Sequence, residues 1–424
     1  MRLSAARRGL LSIIGGTAGG QVIALLCAPL ISRLFPPAEY GPFAVVNAAV
    51  LPLATVAALR LDLAIPLPDE DGEALELATM GARIATLLGV ILTAIAWWCR
   101  DWIAQILRLQ IDPKLLVWIP IVAALMGGFT VLNQLAIRWR MYGAIGRRNI
   151  LQAAVTSLAQ VAMGVMGWGA HGLALGLALG QLAGVLSLWV SLRRCAPLSS
   201  AASPPQYAGL LRRYKSFPLL MAPSGLINAL GLQAPLLMVA ALYGATVSGW
   251  LGMTQRILSL PIALMGVALS QVYLGEFGAA KRSGTVDLRR LFFSASTRLG
   301  TVGLCSALML TLLAPDLFAW VLGSEWRTSG EYARALAGAS AIQMVASPLS
   351  QTVVVMGRFG WQALWDVGRL VLCVSAVVGG YFAGWPALLT IGGLGAAMAV
   401  SYAALWLLSR AAISDVGTRA HGHA

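Results

Sequence analysis

Twelve long apolar runs follow one another along the sequence, and each is long enough to cross a lipid bilayer. They cover 9–32, 41–65, 77–98, 115–137, 150–169, 172–192, 218–241, 246–274, 291–313, 334–357, 367–385 and 387–409. A helix needs about 20 predominantly apolar residues to span the hydrocarbon core. Only helices and closed barrels satisfy the backbone in lipid, and these runs lack the alternating pattern of barrel strands. The runs therefore predict an all-α polytopic membrane protein with twelve transmembrane helices.

The composition supports lipid as the main solvent. Only 11% of the 424 residues are charged and 58% are hydrophobic, whereas a soluble domain carries about 25% charged residues. The same composition excludes a disordered chain. The net charge of +14 would suit nucleic-acid binding if it formed a patch. Because the basic residues are spread over short loops between the apolar runs, we expect no nucleic-acid partner.

The basic residues also predict the orientation of the chain. With the N-terminus inside, 20 of the lysines and arginines fall in inside segments and 6 in outside segments. Lysine and arginine are enriched in the cytoplasmic loops of membrane proteins, so both termini are predicted to be cytoplasmic. The first run follows Arg2, Arg7 and Arg8 and is too long for a signal peptide. We interpret it as a retained first helix.

A weak internal repeat divides the chain into two halves. The longest inside connection, 193–217, leaves six runs before it and six after it. Ala28-Pro29-Leu30 in the first run matches Ala234-Pro235-Leu236 in the seventh, and many secondary transporters are built from such repeats. The predicted organisation is an N-terminal six-helix lobe at 1–192, a cytoplasmic linker at 193–217 and a C-terminal six-helix lobe at 218–424.

The sequence gives no indication of catalytic or metal chemistry. The five cysteines and three histidines lack the spacing of a metal site, and no lysine follows a glycine as in a nucleotide-binding P-loop. Asp69-Glu70-Asp71 resembles the acidic triplet of sugar transferases, but we interpret it as a solvated turn. The longest outside loop, 314–333, is short for a membrane glycan polymerase. We therefore expect no catalytic residue, no metal, no cofactor and no enzyme activity.

Ionisable residues within the runs are the strongest indication of function, because they are costly in lipid and mark substrate pathways. We expect no carboxylate inside any span, and Asp62 near the inner end of the second run is the nearest case. Arginine binds phosphate through two parallel hydrogen bonds. Four arginines lie within runs and are predicted to bind an anionic substrate: Arg256, Arg60, Arg83 and Arg298. Arg256 lies near the middle of its run, whereas the other three could instead extend to the inner surface.

The sixth run contains glycines at every fourth position. Gly172, Gly176, Gly180 and Gly184 share one face of a helix. Such small residues allow a second helix to approach closely. The spacing predicts helix packing rather than a substrate site.

Several motifs along the chain resemble one membrane-protein family. They are Gly16-Thr17, Gln21, Pro29, Arg33, Glu39-Tyr40-Gly41, the stretch 60–65, Leu67-Pro68, Asn149, Gln152, Phe217-Pro218, Pro223, Asn228, Gln233, Pro235, Gly244, Gly249, Arg256, Leu260-Pro261, Gly266, Gln271, Gly323, Trp326, Tyr332, Pro348, Gln351, Trp365-Asp366 and Arg369. In sum the chain resembles the Wzx-type flippases of the multidrug/oligosaccharidyl-lipid/polysaccharide exporter superfamily, over nearly its whole length.

The resemblance implies two six-helix lobes around a central cavity and transport by alternating access. It implies that the cargo is an undecaprenyl-diphosphate-linked oligosaccharide, moved from the inner to the outer leaflet of the bacterial plasma membrane for O-antigen or exopolysaccharide synthesis. The implied partners are this lipid-linked cargo, membrane lipids, and a polysaccharide polymerase with its assembly proteins. Two alternatives stay open: a drug/cation antiporter of the same superfamily, which the lack of deep carboxylates disfavours, and a membrane glycan polymerase.

Overall fold

The computed structural model describes residues 2–106, 111–195, 207–259, 273, 277 and 288–421, and its regular structure is helical throughout these residues. The helices are α1 (Arg2–Leu34), α2 (Pro37–Ala57), α3 (Asp71–Ile106), α4 (Trp118–Arg138), α5 (Tyr142–Val165), α6 (Gly169–Cys195), α7 (Tyr207–Arg213), α8 (Ala222–Tyr243), α9 (described over 245–259), α10 (Leu288–Leu322), α11 (Arg327–Leu349), α12 (Gln351–Val355), α13 (Phe359–Phe382) and α14 (Ala387–His421). The all-α prediction is thereby confirmed for this part of the chain.

Nine helical segments in the described residues are long and apolar enough to cross a membrane. They are Ser12–Leu34, Pro37–Ala57, Asp71–Ile106, Pro113–Arg138, Gly169–Cys195, Phe217–Tyr243, Leu288–Leu322, Gly360–Phe382 and Ala387–Ile413. The protein is therefore a multi-pass membrane protein. Two further predicted spans, 150–169 and 334–357, fall on the less apolar helices α5, α11 and α12. The predicted span 246–274 extends beyond the described residues, so the count of twelve stays a prediction.

The second predicted span ends earlier than the apolar pattern indicates. The run 41–65 predicts a helix through Ile65, but α2 ends at Ala57. Leu59 and Arg60 adopt left-handed backbone angles, with φ of 51° and 58°, and a 3₁₀ turn follows over Leu61–Ala64. Non-glycine residues rarely adopt such angles unless the surrounding packing holds them there. Here the turn lies in an apolar cluster in which Leu61 and Ile65 are fully buried.

The contacts divide the chain into two compact units, 1–249 and 250–424. In the first unit, α5 packs between α1 and α6, α4 packs on α3 and α6, and α2 packs on α4 and α8. In the second unit, α11 packs between α10 and α14, and α13 packs on α14. Helices α7 and α8 thus belong to the first unit by contact, and the six-plus-six division of the sequence stays a prediction.

The glycine ladder packs α6 against α5, as its spacing predicts. Gly172, Gly176, Gly180 and Gly184 face, in order, Met163, Gln160, Thr156 and Arg148 of α5. A Cβ atom at Gly176 would lie 2.6 Å from Cγ of Gln160, which is too close for any other residue without movement. The ladder therefore sets the distance between these two helices.

Candidate functional site

Arg60 lies at the end of α2, in the left-handed turn, rather than within a span as the sequence predicts. The side chain is half-buried, and its Nε atom is buried and makes no hydrogen bond. It lies beside α8, where a Cβ atom at Gly225 would be 3.4 Å from Nε. A buried donor without an acceptor is costly. An anionic ligand that reached this guanidinium would remove that cost.

Asp62 lies two residues after Arg60, in the 3₁₀ turn outside the membrane-spanning part of α2. Its side chain is only 5% exposed. Burial raises the pKa of this carboxyl, and the nearby charge of Arg60 opposes the effect without overcoming it. The turn therefore places Arg60 near a carboxyl that binds its proton more tightly than a solvent-exposed one does.

Arg83 lies on the exposed face of α3 and contacts the segment that the sequence assigns to the linker. Its guanidinium carbon is 5.4 Å from the ring centroid of Tyr207, the first residue of α7. At the end of α7, Arg213 donates to Oε1 of Glu73 at 2.9 Å, and the hydroxyl of the next residue, Tyr214, donates to the same oxygen at 3.1 Å. The end of the predicted linker is thus folded against the start of α3.

The structure brings the surroundings of Arg60 and Arg83 together. Leu61 and Ile84, each adjacent to one of these arginines, belong to a single apolar cluster that also includes Tyr207. The other two predicted site residues lie in the second unit. Arg256 is half-buried on α9, and Arg298 is exposed on α10 next to the buried Leu299.

One interpretation of the sequence is wrong: a carboxylate does lie in a membrane-spanning segment. Helix α13 begins at Phe359, upstream of the predicted run 367–385, and so includes Asp366. Asp366 forms an ion pair with Nη2 of Arg369 at 3.4 Å, and their side chains are 14% and 6% exposed. The Arg369 guanidinium also lies 4.5 Å from the ring centroid of Trp365. The charge of this half-buried carboxylate is therefore balanced within its own helix.

The sequence interpretation also missed the burial of Arg148, which it counted among the inside residues. Arg148 is only 5% exposed. Its Nη1 donates to Oδ1 of Asn149 at 3.0 Å and its Nη2 to Oε1 of Gln181 at 3.4 Å. Asn149 in turn donates to the hydroxyl of Thr17 on α1 at 3.1 Å. A network of polar side chains thus joins α1, α5 and α6. In the sequence, the polar residue Gln181 within an otherwise apolar helix was the feature that could have indicated this network.

The acidic triplet is a structural turn, as the sequence interpretation holds. Asp69, Glu70 and Asp71 are exposed. Nε of Arg138 donates to Oδ1 of Asp71 at 2.7 Å, and its Nη1 donates to the carbonyl oxygen of Pro68 at 2.7 Å. In the described residues, no group of three or more potential metal ligands comes together.

The fold is that of the MOP superfamily of membrane transporters. The lipid II flippase MurJ in its inward closed conformation aligns with a TM-score of 0.68 over 93% of this chain and 85% of that chain, at 9% identity. The MATE transporter VcmN of Vibrio cholerae aligns with a TM-score of 0.65 over 97% of both chains, at 13% identity. A MOP superfamily transporter from Pyrococcus furiosus aligns with a TM-score of 0.62 over 97% and 95%, at 17% identity. At these identities the likeness is one of fold.

The sequence identifies the family. A family model described as polysaccharide biosynthesis protein matches residues 30–331, which is more than half of the chain. The protein belongs to this polysaccharide biosynthesis family. The teichuronic acid biosynthesis protein TuaB of Bacillus subtilis (strain 168) is 21% identical over 162 residues, which cover 38% of this chain. The match spans 33% of the length of that relative.

Proposed function

We propose that the protein is a flippase for undecaprenyl-diphosphate-linked oligosaccharides, moving them from the inner to the outer leaflet of the bacterial plasma membrane for O-antigen or exopolysaccharide synthesis. Membership of the polysaccharide biosynthesis family and the MOP fold support a transport step in glycan assembly. The observation that carries the proposal is Arg60, whose buried Nε makes no hydrogen bond at a strained turn. A cation held in this way is suited to an anionic cargo.

The chemistry of the cargo fits arginine. A diphosphate carries negative charge at neutral pH, and guanidinium groups bind phosphate oxygens through paired hydrogen bonds. Arg256, Arg60, Arg83 and Arg298 are proposed to contact the diphosphate or acidic sugar groups along the path.

Alternating access of this path to the two sides of the membrane needs helices that bend. Prolines inside helices supply such points, at Pro29 in α1, Pro235 in α8 and Pro348 in α11.

We place the protein in the inner membrane with both termini in the cytoplasm, where a lipid-linked cargo would be loaded. The excess of arginine and lysine in the predicted inside segments supports this orientation. Membrane lipids, and a polymerase that receives the flipped unit with its assembly proteins, are the proposed partners.

A drug/cation antiporter of the same superfamily is the main rival, and Asp366 is a carboxylate in a membrane-spanning helix that could serve it. The carboxylate lies beside Arg369. This pairing disfavours a cation site there, since the local net charge is zero rather than negative. A membrane glycan polymerase is less well supported. The predicted outside loops are short for such an enzyme.

The proposal is tested in proteoliposomes that contain an undecaprenyl-diphosphate-linked oligosaccharide, with leaflet exchange followed by access of a glycosidase to the sugar. Arg256→Ala should abolish exchange while the protein still inserts into the membrane. Arg256→Lys should retain part of the exchange, because lysine keeps the positive charge but lacks the planar guanidinium that forms paired hydrogen bonds. Arg60→Ala should also abolish exchange. Arg140→Ala is the matched control, since Arg140 has a similar left-handed backbone angle of 56°. Proton-driven efflux of an organic cation without glycolipid exchange would instead establish the antiporter.

A further inference from the structure

The sixth predicted span and the last predicted span end in the same short pattern. Leu188-Trp189 in α6 is followed four residues later by Arg193, and Leu405-Trp406 in α14 is followed four residues later by Arg410. Residues four apart on a helix lie on the same face. In both helices the leucine is buried, at 0% and 2% exposure, and the arginine is exposed. In each helix the leucine therefore packs against neighbouring residues. The tryptophan and the arginine, one helical turn apart, lie together on another part of the helix surface.

In the first unit this pattern lies at one end of an apolar groove. The groove has a volume of about 900 Å³ and runs between α3, α4 and α6. Trp189 lines it at the end of α6, and Trp97 and Trp98 line it near the end of α3. These three tryptophans are 40%, 53% and 84% exposed, so the groove opens on the outer surface of the unit. The guanidinium of Arg193 lies 3.9 Å from the ring centroid of Trp189.

The second unit has a groove of about 730 Å³ at the corresponding place, between α10, α11 and α14. These are the ninth, tenth and last predicted spans, just as α3, α4 and α6 are the third, fourth and sixth. Trp406 lines this groove together with Phe293. The guanidinium of Arg410 lies 5.7 Å from the ring centroid of Phe293. The same combination of groove, aromatic ring and arginine is thus found in both units.

The combination suits a lipid with a negatively charged headgroup. The linings are almost entirely apolar, so a hydrocarbon chain is the natural occupant. If the groove were empty, the side chains that line it would lose van der Waals contacts. An arginine stacked on an aromatic ring keeps its N–H edge available for phosphate oxygens. Arginines near the surface of the cytoplasmic leaflet attract anionic lipids.

We propose that each groove is a binding site for an anionic phospholipid, with the phosphate on Arg193 or Arg410 and an acyl chain in the groove. The assignment of both sites to the cytoplasmic leaflet rests on the proposed topology. The sites themselves do not depend on the cargo, so a failure of glycolipid exchange would leave this proposal standing.

The test is native mass spectrometry of the delipidated protein titrated with phosphatidylglycerol or with phosphatidylcholine. The wild type should bind two phosphatidylglycerol molecules tightly and phosphatidylcholine more weakly. Arg193→Gln and Arg410→Gln should each weaken one of the two binding steps about tenfold, the loss expected for one charge-assisted contact. Arg194→Gln is the matched control, because it removes the same charge about 100° further around α6.

A second pair of variants tests the groove rather than the headgroup. Gly128 lines the first groove and Gly300 the second, and a Cβ atom at either position would meet no atom within 4 Å. Gly128→Phe and Gly300→Phe should therefore fill the grooves without disturbing the fold, and each should remove one tightly bound lipid. Gly15→Phe on α1, where a Cβ is equally free, should bind both lipids.

Three results would overturn the proposal. Equal binding of the two lipids would show that the arginines do not select negative charge. Unchanged binding by Arg193→Gln and Arg410→Gln would remove the headgroup contact. Normal binding by Gly128→Phe and Gly300→Phe would place the acyl chain elsewhere.

Discussion

Gly184 of α6 leaves the space that the guanidinium of Arg148 occupies on α5. A Cβ atom at position 184 would lie 2.9 Å from Nε of Arg148. The carbon of that guanidinium lies 3.2 Å from the ring centroid of Phe129 on α4, and Arg148 as a whole is 5% exposed. The last glycine of the ladder therefore accommodates a buried charge, whereas the other three accommodate neutral side chains of α5.

The glycine ladder gives the first prediction. Gly184→Ala should lower stability by roughly 1–3 kcal/mol, since the added methyl group would overpack a buried arginine. Gly176→Leu and Gly180→Leu should lower the amount of folded protein more strongly. Thermal unfolding in detergent and size-exclusion chromatography measure both effects. Gly128→Ala, where a Cβ meets open space, is the control, and it should be as stable as the wild type.

Normal levels of folded Gly176→Leu and Gly180→Leu protein, combined with a selective loss of glycolipid exchange, would contradict the packing interpretation. The ladder would then have to act in transport itself.

Apolar length predicted most of the spans but not where they end. The run 41–65 stays apolar past Ala57, so hydropathy could not indicate the left-handed turn at Leu59 and Arg60, which tertiary packing imposes. The location of Asp366 in a membrane-spanning helix was missed because the helix extends beyond the apolar run, whereas α2 ends before its run does. The apolar run begins after Asp366, whereas helix α13 begins at Phe359. The glycine ladder was predictable because its spacing alone fixes a helix face. The ion pair of Asp366 with Arg369 depends on burial, which the sequence does not give.

The raised pKa of Asp62 predicts a pH-dependent stability. An acid with a folded-state pKa above the unfolded value of 3.8 binds its proton more tightly in the folded state. The free energy of unfolding therefore falls as the pH rises from about the unfolded pKa through the folded pKa. Asp62→Asn cannot ionise, so it should have a higher Tm than the wild type at pH 7, and the difference should vanish at low pH.

Asp69→Asn, on the exposed turn, is the control for this experiment and should leave the Tm nearly unchanged at both pH values. If Asp62→Asn were less stable than the wild type at pH 7, the attraction between Asp62 and Arg60 would outweigh the cost of burial.

The buried pair on α13 predicts non-additive substitutions. Arg369→Met should destabilise the protein by about 3–5 kcal/mol, because it leaves the carboxylate of Asp366 charged and poorly solvated. Asp366→Asn combined with Arg369→Met should recover much of that loss. A double-mutant cycle in thermal unfolding measures the coupling. Additive losses would mean that the two side chains contribute independently.

The orientation is tested with reporter fusions at three sites. The excess of basic residues in inside segments predicts a cytoplasmic signal at Ala201 and at Ser283, and an outside signal at Ser329. Alkaline phosphatase, active outside, and green fluorescent protein, fluorescent inside, provide complementary readings. An outside signal at Ala201 would rule out the two-lobe organisation, since it would put an odd number of spans before the linker.

Arg83 and Arg298 give the last prediction, because the sequence places them at matching depths near the inner ends of the third and ninth spans. If both arginines contact one anionic cargo, the effects of Arg83→Gln and Arg298→Gln on exchange should be coupled, and the double variant should depart from the product of the single effects. Arginines that only anchor their helices to lipid phosphates should give multiplicative effects.

The stack of Arg83 on Tyr207 offers a separate control. Tyr207→Leu keeps the charge but loses the ring, so it should alter exchange less than Arg83→Gln if the charge acts on the cargo. Equal losses in Tyr207→Leu and Arg83→Gln would instead assign Arg83 to holding α7 against α3. The salt dependence of the exchange rate adds a further measurement, since a field from these arginines that attracts anionic headgroups weakens as the ionic strength rises.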